Sequence, residues 1–298
     1  NCPENLGNQI LTIKKNKCLI VRMFDEDPYR ITDSLISKLF FKEVVKGAQI
    51  VAKAMNANGV VFAIDQKLED KTLFQEITDE RIHVLEMNIK RYPSGTPREI
   101  VSAFSRSGAD KITGFSINKN DLFTDSSSVY DAYKAVLCST PSINKFVHFS
   151  GNCLYSSALL NIKIGTTLKE IVSQLGGFVK NPAMIIINGS LCGNSVTSLD
   201  VPITKYIKSV QFVTSQKVTD DQIYSCINCG NCRFACPVKI SPDILYNNTV
   251  NYKLLPETFA ASSIACIECG LCNTVCPARL PLCQTISVLK GNLLNKQD

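Results

Sequence analysis

Apolar residues Leu35, Ile36, Leu39, Phe40, Val44, Ala48, Val51 and Met55 recur at helical spacing, which predicts one helix across this stretch. Thr32 or Asp33 stands where its N-cap is expected. Asn58-Gly59 ends it, and the unbroken apolar run 60–64 reads as a strand buried on both faces. The pattern then gives a short helix over 68–77, a strand over 83–87 and a turn at Tyr92-Pro93-Ser94-Gly95. A helix over 97–105, a strand over 112–117 and a helix over 127–137 follow. Alternation of this kind over residues 19–137 predicts a three-layer α/β domain around a mostly parallel sheet.

The texture changes after residue 145. Strands are predicted over 145–150, 161–164, 184–187, 201–204 and 210–213, around one short helix over 166–175 that Gly176-Gly177 stops. Short strands around one helix make a small α+β module. The polar stretch 214–221 links it to a last region, where helices are expected near 241–247 and 281–289. The domains are therefore drawn at 1–144, 145–216 and 217–298.

That last region holds the clearest chemistry. Cys226, Cys229, Cys232 and Cys236 precede Pro237, and Cys266, Cys269, Cys272 and Cys276 precede Pro277. The C-x2-C-x2-C-x3-C-P run, present twice, is the bacterial ferredoxin signature for two [4Fe–4S] clusters. In two-cluster ferredoxins the fourth cysteine of each run ligates the other cluster. This assigns Cys226, Cys229, Cys232 and Cys276 to one cluster, and Cys266, Cys269, Cys272 and Cys236 to the other. Structural zinc favours two separated C-x2-C pairs, which this is not. Gly230 and Gly270 stand where the backbone must turn tightly.

Fourteen cysteines in 298 residues would suit a disulfide scaffold in a small secreted chain. Here eight belong to the runs, and Cys2, Cys18, Cys138, Cys153, Cys192 and Cys283 are scattered, as in a reducing cytosol. Cys283 has no ligand spacing and reads as a small buried hydrophobe. His83 and His148 read as packing or surface residues. Net charge is +6, but residues 220–298 carry 6 basic and 6 acidic side chains, so the excess lies upstream. That excess can steer an acidic redox partner or anionic lipid. No basic stripe interleaved with aromatics supports nucleic-acid binding. Apolar runs as short as 183–187 predict no bilayer span.

The order of these parts resembles the C subunit of the Rnf electron-transport complex and, more distantly, the flavin-bearing NADH-oxidising subunit of respiratory complex I. The resemblance rests on CIECGLCNTVCPARLPL from Cys266, SLDVPITK from Ser198, IGTTLKEIVSQLGG from Ile164, RYPSG from Arg91 and DEDPYRITD from Asp25. It implies a Rossmann-like flavin/NADH-type domain, a β-grasp-like soluble-ligand-binding module and an α-helical two-cluster ferredoxin domain. It also implies a peripheral subunit on the cytoplasmic face of the inner membrane. Such a subunit passes electrons between soluble ferredoxin or flavodoxin and the membrane subunits of an ion-translocating oxidoreductase. It is an electron carrier rather than a complete catalyst, so no catalytic residue is assigned.

Three departures bear on FMN and NADH. The family has a Gly-rich loop before the acidic-Pro-Tyr segment, whereas this chain has only Gly7 there. Thr96-Pro97 follows RYPSG where the family has Gly and an acidic residue, and the later turn, 116–121, has no glycine. Backbone amides need glycine to approach a phosphate closely. The expectation is therefore a degenerate or truncated nucleotide site: either part of it lies upstream of Asn1, or FMN and NADH binding is lost, which is favoured because two of the three changes lie well inside the chain. A free-standing flavin-dependent NADH:acceptor oxidoreductase and a non-catalytic docking subunit are the alternatives.

Overall fold

The computed structural model describes residues 6–12, 17–68, 74, 77, 79–215, 222–250 and 257–294. The chain divides into two compact units, residues 1–190 with 194–215, and residues 191–193 with 216–298. The helix expected over 68–77 and the linker over 214–221 lie largely outside the described residues, and Cys2 wholly so.

In the first unit α1 (Leu6–Thr12) precedes β1 (Leu19–Arg22), α2 (Thr32–Leu39), α3 (Phe41–Ala54), β2 (Val60–Asp65) and β3 (Ile82–Met87). Then come α4 (Pro97–Arg106), α5 (Ala109–Thr113), β4 (Leu122–Asp125) and α6 (Ser126–Leu137). The four strands form a parallel sheet in the order β3-β2-β1-β4. Strand alternation sends Leu19, Val21, Phe62 and Ile64 to a core shared with Ile36, Val44, Val51 and Val129 of the helices on one side. Ile20, Val61 and Ala63 meet Ile100, Phe104 and Ala109 on the other. Helices thus cover both faces, as a parallel sheet requires.

Three expectations need correction here. The single helix through residues 35–55 is two, because Phe40 leaves helical geometry at φ −126°, ψ 41°. Thr32 and Asp33 do not cap: they lie inside α2, fully buried, and bond to distant parts of the chain. Of the strand expected over 112–117, Ile112 and Thr113 instead end α5, held between the left-handed Gly108 and Gly114, residues 114–117 form a loop, and the strand comes later, at β4.

The same unit contains β5 (Asn144–Ser150), β6 (Ala158–Lys163), α7 (Leu168–Gln174), β7 (Met184–Ile187), β8 (Asn194–Val196) and β9 (Ser209–Val213). These strands form a second, mixed sheet in the order β6-β5-β9-β7-β8, parallel only between β5 and β9. Thr167 and Glu170 close a capping box on α7, whose Leu168 and Ile171 pack on Val147, Phe149, Val210 and Phe212. The strand expected over 201–204 is reduced to one bridge, Thr167 to Pro202.

The second unit is helical. It comprises α8 (Asn231–Ala235), α9 (Pro242–Val250), α10 (Glu257–Ala260) running into a 3-10 turn (Ala261–Ala265), α11 (Leu271–Thr274) and α12 (Leu282–Leu294). Leu245, Leu282 and Ile286 are its most buried aliphatic side chains.

Candidate functional site

The two cysteine runs fold alike, residue for residue, 40 positions apart. Asn228 and Glu268 have φ of 56° and 57°, Gly230 and Gly270 76° and 75°, Lys239 and Arg279 59° and 54°. The hydrogen bonds repeat too. Arg233 N–H donates to Gly230 O and Asn273 N–H to Gly270 O, each at 3.0 Å. Cys236 and Cys276 N–H donate to Arg233 O and Asn273 O at 3.3 and 3.2 Å. Alternating right- and left-handed residues turn successive backbone N–H groups inward, the geometry that receives an anionic centre. One such contact is made: Glu268 N–H donates to Cys266 Sγ at 3.4 Å. At Gly270 a side chain is excluded sterically as well, since a Cβ would lie 2.2 Å from Leu191 O.

A pocket is lined by Cys226, Cys229 and Cys232 of the first run together with Cys276 of the second, walled by Ala278, Leu280 and Leu282. Cys236, for its part, packs with Cys266 among Ile240, Leu245 and Ile286, close enough to Cys269 to act on it electrostatically. Cys276 therefore lines a pocket with the first run's first three cysteines, and Cys236 lies near Cys266 and Cys269 of the second run. The donor chemistry fits an iron–sulfur core: soft thiols, apolar walls and inward amides. Burial and the neighbouring Asp243 push the Cys232 thiol up, and burial does the same to Cys269. Contact with Cys283, then burial, pushes Cys266 up further. These thiols need a cationic partner to ionise, which an iron core supplies. Among the described residues no three His, Cys, Asp or Glu converge on a point that would hold a single metal ion.

The two groups differ in exposure. Cys229 is exposed and Cys226 half-buried. Beside them Ile227 is 67 % and Phe234 86 % exposed, whereas Cys266 and Cys272 are buried. Sequence reasoning gave Cys283 no part in the site, yet that residue packs against the cluster that contains Cys232 and Cys272, and Cys266 and Cys272 act on its thiol. It also missed the Arg233–Asp243 pair (2.6 Å) beside the first group. Aligning the two runs on each other would have exposed both, because Asp243 and Cys283 occupy the same place in the repeat.

The parallel sheet has its own crevice. Strand order reverses between β1 and β4, and the carboxyl ends of such strands are where α/β folds bind ligands. Arg22 and Asp125 end these strands in register. Around them, Asp25 accepts from Arg30 Nε and Asp33 N, both at 3.1 Å, and from Ser34 N and Oγ at 3.0 and 2.9 Å. Lys208 Nζ reaches Asp33 Oδ2 at 2.7 Å and also bonds Asp125. Arg22 pairs with Glu26 and donates to Gly95 O at 3.0 Å. A Cβ on Gly95 would come within 2.9 Å of both side chains, so RYPSG packs here because of its glycine. Burial would raise Asp125, but Lys208 and Lys145 outweigh it and hold the carboxyl well below its usual range. Burial likewise opposes the charge on Lys208, yet Asp125 and Asp33 raise its pKa. Burial and Asp33 together raise Asp25. His148 is buried with Nδ1 unpartnered, and burial lowers its pKa. His83 stacks edge-on against Phe104.

Comparison with known proteins agrees with these parts. Residues 225–280 match the 4Fe-4S dicluster domain family, so the second unit carries an iron–sulfur domain of ferredoxin type. The fold is similar to that of the NAD+-reducing [NiFe]-hydrogenase in its H2-reduced state, with TM-score 0.54 at 10 % identity, covering 98 % of this chain and 57 % of that one. Among the described residues no helix is long and apolar enough to cross a membrane. The C subunit of an ion-translocating oxidoreductase complex from Rhodobacter capsulatus is 29 % identical over 94 % of the chain and 54 % of its own length. The C subunit of a proton-translocating ferredoxin:NAD(+) oxidoreductase complex from Clostridium ljungdahlii is 26 % identical over 78 % of the chain and 51 % of its own. The chain spans about half the length of these curated relatives. Along most of its length it is similar to the C subunits of ion-translocating oxidoreductase complexes, the family its motifs resemble.

Proposed function

We propose that this chain is the iron–sulfur electron-transfer part of such a C subunit, holding two [4Fe–4S] clusters with crossed ligation. The observation that carries the reading is the pocket shared by Cys226, Cys229, Cys232 and Cys276. The clusters would supply one-electron transfer. The chain's own residues ligate them, direct amides at them and wall them off from water with Ala278, Leu280, Leu282, Ile240 and Leu245. The first group, open at Cys229 beside Ile227 and Phe234, is the face for exchange with a soluble ferredoxin or flavodoxin. The remaining subunits of the complex take the electron onward, with this chain peripheral on the cytoplasmic face of the inner membrane.

The strand order of the mixed sheet and its single α7 support the β-grasp-like reading of residues 145–216. The doubly covered parallel sheet supports a Rossmann-like domain at 1–144, and the cysteine unit a ferredoxin-type domain at 217–298. In the β1/β4 crevice Lys208 is paired with Asp33 and Asp125, Arg30 with Asp25 and Arg22 with Glu26, and Lys145 acts on Asp125. A phosphate arriving there would meet carboxylates, which favours loss of FMN and NADH.

Metal and sulfide analysis with EPR on anaerobically purified protein tests the reading, the expected content being about eight irons. About two tightly held zinc ions, with no reducible signal, would reject it. In the same preparation FMN and NADH should bind no better than about 0.1 mM, about −5.5 kcal/mol. Micromolar FMN binding would overturn the loss of that site and favour an NADH oxidoreductase.

A further inference from the structure

The internal repeat pairs Arg233 with Asn273 and Asp243 with Cys283. In the first half Arg233 grips Asp243 through Nε at 2.8 Å and Nη2 at 2.6 Å, and Asp243 lines the pocket of the first thiol group. In the second half Asn273 Oδ1 accepts from Cys283 N–H at 2.8 Å. Its Nδ2 donates to Gln284 Oε1 at 2.6 Å. This double fastening fixes the start of α12, so that Cys283 packs against the cluster that contains Cys272, Ala278, Leu280 and Leu282, at the place in the repeat where Asp243 lines the first group's pocket, with Cys266 and Cys272 acting on its thiol. One ion pair stands by each group: Arg233–Asp243 by the first and Lys290–Glu268, at 3.0 Å, by the second. The formal charges cancel in both halves. What differs is a carboxylate against the first group and a neutral S–H against the second, at one place in the repeat.

We propose that Cys283 is a positioning residue for electron transfer. Its S–H donates a hydrogen bond to a ligand sulfur of the second centre and lifts that centre's reduction potential above the first's. The inference rests on the two-cluster reading. Reduction adds negative charge to a centre, so a donor to its sulfurs stabilises the reduced form and raises the potential. An electron delivered by the soluble carrier to the exposed first centre then steps downhill to the buried second one, and no atoms move.

The test is a redox titration of the anaerobic full chain, followed by EPR, for wild type, Cys283→Ala and Cys283→Ser. Wild type should carry about eight irons and show two separated one-electron waves. In Cys283→Ala the higher wave should move to lower potential, its reduced-to-oxidised ratio at fixed potential falling roughly fivefold, as for loss of one weak hydrogen bond. The lower wave should stay. Cys283→Ser keeps a donor and should recover most of the shift. Both waves unmoved in Cys283→Ala, or only the lower one moving, would overturn the inference while leaving the two-cluster reading intact. Loss of about half the iron in Cys283→Ala would also overturn it, by making Cys283 a ligand. A wild-type chain without the irons fails the underlying reading, and the inference with it.

Discussion

In the proposed crossed ligation Cys236 and Cys276 each complete a thiol group begun by the other run. Their replacement by serine therefore strikes the centre farther away in sequence. Cys236→Ser should lose about half of the iron, and adding Cys266→Ser should lose no more, because both changes fall on one centre. Cys236→Ser with Cys226→Ser should lose nearly all of it. Iron assays on the two double variants decide the matter, and the reverse outcome would mean uncrossed ligation. The eight proposed ligands could be read from the sequence because thiol spacing around an iron–sulfur core is a local constraint. Cys283 could not. Its role depends on where α12 starts, and that is set by the Asn273 and Gln284 contacts rather than by spacing from the other cysteines.

At the scale of elements, Lys208 ties the residue before β9 to α2 and to the end of β4. Asp33 is wholly buried there. Lys208→Met would leave two carboxylates without their counter-ion, at a cost of about 3–5 kcal/mol, read by chemical denaturation at neutral pH. The sign with pH follows from the shifts. Asp125 is depressed, so its contribution is present above about pH 3.9 and is lost as pH falls through its lowered value. Lys208 is raised, so its contribution is present below about pH 10.4 and is lost as pH rises through its raised value. The gap between wild type and variant should thus be flat near neutrality and narrow at both extremes. A gap that grows below pH 4 would refute the pairing. This network also explains what the pattern of residues concealed. Thr32 and Asp33 look like caps, yet Thr32 Oγ1 donates to Lys208 O at 2.6 Å and Asp33 Oδ1 accepts from Ser127 Oγ at 2.8 Å. Both choices are made by partners distant in sequence. Strand β8 was invisible because it is three mostly exposed residues, and 112–117 misled because Ile112 and Ile117 are apolar while only the second is buried. Long periodic elements such as α4 and α6 were legible almost to the residue, as was the end of α3.

For the molecule as a whole, a net charge of +6 sits upstream of a cysteine region that is formally balanced. All-thiolate centres add negative charge to that region. The first unit is then the cationic part, able to meet anionic lipid or acidic partner surfaces with an attraction that salt screens to about 3 Å at 1 M. The chain should leave native membranes with high salt and should co-purify with integral redox subunits at low salt. Immunoblots of salt and alkaline carbonate extracts check this. Retention through both would require an anchor, and recovery without any membrane partner would favour a free-standing oxidoreductase.

The interlocked repeats also constrain biosynthesis. Cys232 leaves the ribosome 44 residues before Cys276, a delay of roughly 2–9 s at about 5–20 residues per second. Throughout that interval three thiols of the first pocket wait without the fourth, and Cys236, the one further thiol of the first run, is directed to the other centre. With the proposed crossed ligation, metal insertion would be held back until both halves have been translated and have closed on each other. Oxygen or peroxide reaching the nascent chain in those seconds would meet unprotected thiols, so the hazard of oxidative damage is concentrated before maturation rather than after it.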